Sequence, residues 1–132
     1  MESLLDQLRG LMQVDEGEHL EFKEAKTGFD SRKLGEYCAA LANEGGGKLI
    51  LGVTNRRPRR VVGTQAFSDK LSKVKQQLLD RLHLRIEVDE VPHPDGRVLI
   101  FRVPPRPIGK PIAHEGVYWM RSGDRLVHMT PD

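Results

Sequence analysis

A short arginine-rich stretch carries the clearest chemical signal in this sequence. Residues 55–60 read Asn-Arg-Arg-Pro-Arg-Arg. Guanidinium groups present planar forks of donors that suit phosphate oxygens, whereas the proline and the charges oppose burial of this segment. The stretch therefore predicts a basic loop that contacts a phosphate backbone without reading bases. The candidate contacts are Arg56, Arg57, Arg59 and Arg60. The residues alone equally allow a solubilising loop, or one that pairs with the acidic N-terminal segment.

The glycine-rich turn Gly45-Gly46-Gly47-Lys48 is a second candidate for phosphate chemistry. A P-loop needs Gly-x-x-x-x-Gly-Lys-Ser/Thr between a strand and the helix that follows it. Here Ala42 stands at the first glycine position, Leu49 follows the lysine, and the predicted order is helix to strand. The turn therefore indicates a helix stop and gives no support for bound ATP.

The charges of the chain are unevenly distributed along it. Residues 1–30 carry three basic and eight acidic side chains, whereas residues 31–60 carry seven basic and two acidic ones. Part of this difference is expected to pair internally, and the arginine stretch is the strongest electrostatic signal that remains. We expect neighbouring lysines to extend its basic patch if the fold brings them close. These are Lys48, Lys70, Lys73 and Lys75.

Length and composition predict one ordinary globular domain over residues 1–132. Charged residues make up 30% of the chain and aromatic residues 5%, which is not the composition of a disordered protein. The single cysteine, Cys38, excludes an internal disulfide and suits the cytoplasm. No apolar run approaches the roughly 20 residues of a membrane span, so we expect no membrane partner.

The helices predicted from periodicity surround the glycine turn. Residues 3–12 form an opening helix with an apolar side, and a helix that Asp30 or Ser31 caps has an apolar stripe at i, i+3, i+4 and i+7. That stripe is Leu34, Tyr37, Cys38 and Leu41. All three glycines of the turn are expected to adopt left-handed conformations. A third helix, capped by Ser68, has the stripe Leu71, Val74, Leu78, Leu79 and Leu82.

The predicted strands complete an α/β (α+β) domain. The residues from Leu49 to Leu51 are all apolar, as expected of a strand covered on both faces. Pro94-Asp95-Gly96 marks a hairpin turn, and the prolines between 104 and 111 mark an extended loop. The other predicted strands are 18–23, 61–63, 84–89, 98–103, 117–121 and 126–129. We expect one mixed β-sheet packed by two or three helices.

The chain ends on a helix-start signal, Thr130-Pro131-Asp132. A capping threonine, a proline at the first helical position and an acidic residue announce a helix that does not follow. We therefore expect residues 1–132 to be the N-terminal part of a longer protein with a downstream C-terminal domain.

Three blocks of the sequence resemble the Schlafen AlbA-type domain, also called the divergent AAA domain. The blocks are residues 18–23, 42–53 and 118–123, in the order of that family. The resemblance implies an AlbA-type fold, nucleic-acid binding, and a place at the N-terminus of bacterial transcriptional regulators. It also implies that Arg121 is a structural ion-pair partner. The signature residues are Glu21, Phe22, Lys23, Asn43, Gly45, Gly46, Gly47, Gly52 and Arg121.

The same resemblance brings in an alternative, a metal-dependent endoribonuclease or other nuclease. Eukaryotic Schlafen nucleases use two glutamates that flank the first strand and an aspartate after the strand that ends in Gly-Val. Glu16 and Glu21 match the glutamates and would hold Mg²⁺ or Mn²⁺. Thr54 and Asn55 stand where the aspartate should be. The simpler interpretation is that Glu21 pairs with Lys23 or with a neighbouring strand.

We therefore expect a non-enzymatic nucleic-acid-binding domain without a cofactor. DNA is the expected ligand, and the arginine stretch together with Lys48 is the expected contact surface. A metal-dependent nuclease that uses Glu16 and Glu21 is the first alternative. The second is an assembly or sensing module that touches no nucleic acid. A homodimer would double the phosphate contacts, although no residue requires it.

Overall fold

The computed structural model of the chain describes residues 2–15, 17, 19–122 and 125–129. Its elements in chain order are α1 (Leu4–Met12), β1 (Leu20–Lys23), α2 (Ser31–Asn43), β2 (Gly47–Leu51), α3 (Leu71–Leu82), β3 (Glu87–His93), β4 (Gly96–Val103), β5 (Ala113–His114), β6 (Val117–Ser122) and β7 (Arg125–His128). This arrangement confirms the expected α/β class. The helix-start signal at 130–132 lies outside the described residues. None of the helices in the described ranges is long and apolar enough to cross a membrane.

The strands form two sheets where the sequence predicted one. The expected mixed sheet has the order β1-β2-β4-β3, with β1 parallel to β2 and the other neighbours antiparallel. The strands β5, β6 and β7 form a separate antiparallel sheet. This small sheet packs on α2 instead of extending the larger one. Alternation of apolar residues predicts a strand but not the sheet that it joins, which explains the difference.

The four-stranded sheet is covered on both faces, as the sequence predicted for Leu49 to Leu51. Ile50 packs with Leu8 of α1 on one face, whereas Leu49 and Leu51 pack with α2 and α3 on the other. All three strand residues are fully buried. Because both faces are covered, even Glu21 on the edge strand β1 is 1% exposed.

The turn between α2 and β2 uses its glycines for two different reasons. Gly45 and Gly46 have φ angles of 97° and 94°, which end α2 in the expected left-handed conformation. Gly47 already belongs to β2, so the prediction of a left-handed conformation is wrong for it. A Cβ atom on Gly47 would lie 2.4 Å from the carbonyl oxygen of His19. The third glycine therefore allows β1 and β2 to approach each other.

The predicted starts of two elements in the middle of the chain are wrong. Ser68 does not cap α3: its Oγ donates to the carbonyl oxygen of Gln65 at 2.9 Å. The helix starts at Leu71 without a side-chain cap, because the chain between Phe67 and Lys70 first closes a turn of its own. Residues 84–86 precede β3 instead of opening it, since they connect the helix layer to the sheet.

Candidate nucleic-acid interface

Two of the four arginines in the loop attach it to the end of α1. The Nη2 atom of Arg57 donates to the carbonyl oxygen of Gln13 at 2.9 Å and to Oδ1 of Asp15 at 2.7 Å. The Nη1 atom of Arg59 donates to the carbonyl oxygens of Met12 at 3.1 Å and Val14 at 2.5 Å. The last carbonyls of a helix lack partners within it and carry partial negative charge, so guanidinium groups stabilise this end.

Arg59 is held from a second side by the sheet. Its guanidinium carbon lies 4.1 Å from the centroid of the Phe22 ring, which is a cation–π contact with a buried residue of β1. Arg59 is itself partly buried. The loop is therefore fixed to both α1 and β1 through one side chain.

Arg56 and Arg60 lie on the exposed side of the same loop. Neither side chain forms an ion pair or a hydrogen bond with the residues that the structure describes. Thr54 fixes the backbone at both, because its Oγ1 donates to the carbonyl oxygen of Arg56 at 3.3 Å and accepts from the amide of Arg60 at 2.9 Å. Both arginines line a cleft of about 640 Å³ together with Glu24 and Pro58.

A second cleft of about 610 Å³ joins the first at Arg60. Lys26 contributes another cation to it, although that ammonium lies 3.6 Å from a carboxylate oxygen of Glu24. His93 and Asp95 of the β3–β4 hairpin form its far wall. The arginine loop, defined here as residues 55–60, therefore occupies the end of the sheet where β2 ends and β3 turns into β4.

The four candidate arginines thus have two structural situations. The expected pairing with the acidic N-terminal segment is present for Arg57 and Asp15, whereas Arg56 and Arg60 have no such pair among the residues that the structure describes. The spacing of the four arginines in the sequence does not show which of them reach the carbonyl groups at the end of α1, so the sequence alone does not distinguish the two situations.

Lys48 lies at the opposite end of the sheet from the arginine loop. Lys48 is the second residue of β2, whereas the arginine loop begins beyond the end of that strand at Leu51. Lys48 lines a separate groove with Arg85 and Arg102, neither of which the sequence analysis singled out. Lys75 lines a hollow beside that groove and pairs with Glu87 at 2.9 Å. Lys70 and Lys73 are exposed at the start of α3 and line neither of the clefts beside the arginine loop.

Glu21 takes part in a buried ion pair. Its Oε2 lies 2.5 Å from Nη2 of Arg121, and both side chains are at most 2% exposed. Arg121 also donates to the carbonyl oxygen of Leu20 at 3.1 Å, and the ammonium of Lys23 lies 3.7 Å from the other oxygen of Glu21. Glu21 therefore pairs with Lys23 of its own strand and with Arg121 of β6, which belongs to the small sheet.

Among the described residues, the side chains at the expected metal position are engaged in other contacts. The carboxylate of Glu21 is already compensated by Arg121, and Oγ1 of Thr54 is used within the arginine loop. Glu16, the other expected ligand, lies outside the described residues. Across the described ranges, no group of three histidine, cysteine, aspartate or glutamate residues is placed to hold a metal ion.

Asn43 connects the end of α2 to the small sheet. Its Nδ2 donates to the carbonyl oxygens of Ile112 at 2.9 Å and Trp119 at 2.6 Å. Its Oδ1 accepts from the amide of Ile112 at 2.6 Å.

Gly52 has a φ of 103°, and a Cβ there would lie 2.8 Å from the carbonyl oxygen of Arg97. Like Phe22 and the pair of Glu21 with Arg121, the signature residues Asn43 and Gly52 therefore maintain the fold.

Cys38 is a core residue on the α2 stripe, as expected. It is fully buried, and burial raises the pKa of its thiol well above the ordinary value because the thiolate would lose its solvation. A thiol in this environment does not act as a nucleophile at neutral pH.

Comparisons with known proteins agree with this fold. A family model described as Schlafen, AlbA_2 matches residues 16–130. The crystal structure of the DIP2311 protein from Corynebacterium diphtheriae superimposes with a TM-score of 0.70 at 20% identity, over 96% of this chain and 30% of that chain. The solution NMR structure of an N-terminal domain from Nitrosomonas europaea has a TM-score of 0.64 at 26% identity, over 100% of this chain and 93% of that chain. That domain comes from a protein described as related to the ATP-dependent DNA helicase RecG. No curated protein matches the chain.

Proposed function

This chain belongs to the Schlafen AlbA_2 family, and we propose that it is a nucleic-acid-binding domain whose ligand is duplex DNA. The observation that carries the proposal is that two arginines of the arginine loop hold it to the domain while the other two are exposed. Arg57 and Arg59 hold the loop, so Arg56 and Arg60 are presented on a fixed backbone without partners among the described residues. A fixed backbone keeps both side chains beside the clefts, so the loop itself does not have to become ordered when they bind phosphate.

The chemistry of the two clefts favours backbone phosphates over bases. Their cationic side chains are the four arginines of the arginine loop and Lys26, and their lining residues include no phenylalanine, tyrosine or tryptophan. Proteins that bind single strands use such rings as stacking platforms. Electrostatic contact with the duplex backbone therefore fits the interface better than stacking on single-stranded DNA or RNA.

The similarity to the Nitrosomonas europaea domain supports DNA over RNA, because that domain belongs to a protein described as related to a DNA helicase. The chain spans 30% of the length of the Corynebacterium diphtheriae protein. We propose that it acts as the N-terminal module of a cytoplasmic transcriptional regulator whose downstream domain supplies sequence specificity. A homodimer that placed both arginine loops on one duplex would double the phosphate contacts and is part of the same proposal.

A comparison of three ligands tests this function. Binding of duplex DNA, single-stranded DNA and RNA of equal length would be measured with and without Mg²⁺ or Mn²⁺, and the nucleic acid recovered would be checked for cleavage. We expect duplex DNA to bind most tightly and to remain intact. Absence of binding to all three would instead favour an assembly or sensing module, and metal-dependent cleavage would favour the nuclease.

A further inference from the structure

A groove at the end of the sheet opposite the arginine loop contains cations that the proposed function does not use. Its floor is the glycine turn with Lys48, and its walls are Arg85, Glu87, Arg102 and residues 103–105. The groove measures about 390 Å³. We name it the glycine-turn groove.

Two of the charged groups in this groove are already compensated. Arg102 pairs with Asp89 at 2.5 Å and donates to Oε1 of Gln7 at 2.7 Å. Glu87 pairs with Lys75 at 2.9 Å. Arg102 and Glu87 therefore add little to the electrostatic potential in the groove.

Lys48 and Arg85 are different, because neither has an ion pair or a side-chain hydrogen bond within the described ranges. Arg85 is exposed and Lys48 is half-buried. The rest of the groove surface is glycine backbone and the two prolines Pro104 and Pro105. The amides of Gly46 and Lys48 donate to the carbonyl oxygens of Leu41 and His19. Two uncompensated cations are thus the groups left to bind a ligand, which indicates an anion.

The two cationic surfaces face opposite ends of the domain. The arginine loop lies beside the hairpin turn before Gly96, and the glycine-turn groove lies beside Val103. Seven strand steps separate these two residues of β4, which corresponds to about 23 Å.

The sheet edge between the two surfaces offers few contacts to a duplex that would span them. The sheet edge between them is β3, which contains no lysine or arginine. Its three carboxylates are paired: Glu87 with Lys75, Asp89 with Arg102 and Glu90 with Arg97. A duplex that spanned both surfaces would therefore gain no phosphate contact from a lysine or arginine of β3.

We propose that the glycine-turn groove binds backbone phosphates of a second DNA segment through Lys48 and Arg85, so that one domain bridges two duplexes. The proposal rests on the proposed function for the first segment, which the arginine loop holds. Its ligand is recognised by charge, because both side chains carry donors that suit phosphate oxygens.

Bridging is measured directly with two short duplexes of the same sequence, one carrying a donor dye and the other an acceptor. The intact chain is added at low salt, and energy transfer between duplexes is recorded alongside binding of each duplex alone. Three double variants are compared: K48Q/R85Q, R56Q/R60Q and the control R9Q/K73Q. The control removes one exposed arginine and one exposed lysine that line neither surface. The oligomeric state is determined at the assay concentration.

We expect energy transfer with the native chain and with the control, and its loss in both groove and loop variants. The K48Q/R85Q variant should still bind a single duplex within about two-fold of the native affinity, because the two surfaces are far apart and act independently. Bridging that persists in K48Q/R85Q, or that scales with dimer formation, would overturn the inference and leave the proposed function intact. If the R56Q/R60Q variant keeps both the native affinity for a single duplex and the native energy transfer, the proposed function fails instead.

Discussion

At the scale of single residues, the buried pair of Glu21 and Arg121 is the contact whose loss should cost the most. Replacing Glu21 with glutamine leaves the guanidinium of Arg121 buried beside a neutral amide. Removing one partner of a buried pair typically costs about 3–5 kcal/mol. We expect the free energy of unfolding of E21Q, measured by urea denaturation, to fall by that amount.

The matched control for this substitution is E24Q. Glu24 is half exposed and lies 3.6 Å from the ammonium of Lys26, and exposed pairs contribute at most about 1 kcal/mol. Equal stability of E21Q and E24Q would contradict the structural role of Glu21. A cleavage assay on E21Q is informative only with the folded fraction measured in parallel, because a loss of activity would otherwise follow from unfolding.

Sequence analysis could identify the residues that matter but not how each is used. The arginines stood out because charge and proline pattern predict a loop. Only the fold shows that Arg57 and Arg59 bind the carbonyls of α1 while Arg56 and Arg60 do not. Arg85 gave no signal, since an outward-facing arginine beside a strand is ordinary.

At the scale of elements, the two kinds of glycine in the α2–β2 turn predict different costs of substitution. G45A places a Cβ at a φ of 97° with its nearest neighbour at 3.6 Å, which costs about 1–2 kcal/mol of backbone strain. G47A brings a Cβ to 2.4 Å from the backbone of β1. This clash can be relieved only if two hydrogen-bonded strands move apart. We therefore expect the free energy of unfolding of G47A to fall by about 3 kcal/mol.

The measurement for both variants is chemical denaturation, with G28A as the control. Gly28 has open space around the position of a Cβ atom, so its replacement should change the stability little. A smaller loss of stability in G47A than in G45A would show that β1 and β2 can move apart at little cost.

The junction made by Asn43 should be seen in local exchange. In N43A the amide and carbonyl of Ile112 and the carbonyl of Trp119 lose their partner, and unsatisfied buried groups cost about 1–3 kcal/mol. We expect amide hydrogens of β5 and β6 to exchange faster, whereas those of β2 and β4 keep their protection. The control is Q76A, which removes only an exposed side-chain contact with Asp80. Uniform acceleration in N43A would argue against a local junction.

The elements were largely predictable because their periodicity is strong. Asp30 caps α2 as predicted, and the hairpin of β3 and β4 turns at residues 94–95 as its sequence indicates. The separation of β5, β6 and β7 into a second sheet was not predictable. It depends on Asn43 and on packing against α2, which are contacts distant in sequence.

At the scale of the whole molecule, the family and the charge pattern together support the proposed function, whereas the positions of the charges could be read only from the fold. Lys48 and the arginine loop are close in sequence but lie at opposite ends of β2. A net charge of +2 therefore describes the domain poorly, since four cations without partners among the described residues lie on two separate surfaces, Arg56 and Arg60 on one and Lys48 and Arg85 on the other.

The most direct test of the account is the salt dependence of duplex DNA affinity for the native chain, R56Q/R60Q and the control R9Q/K73Q. The logarithm of the binding constant falls with the logarithm of salt by about 0.9 for each phosphate contact. If each arginine contacts one phosphate, the slope should flatten by about 1.8 in R56Q/R60Q and stay unchanged in the control. A native slope and affinity in R56Q/R60Q would contradict the claim that the arginine loop holds the DNA.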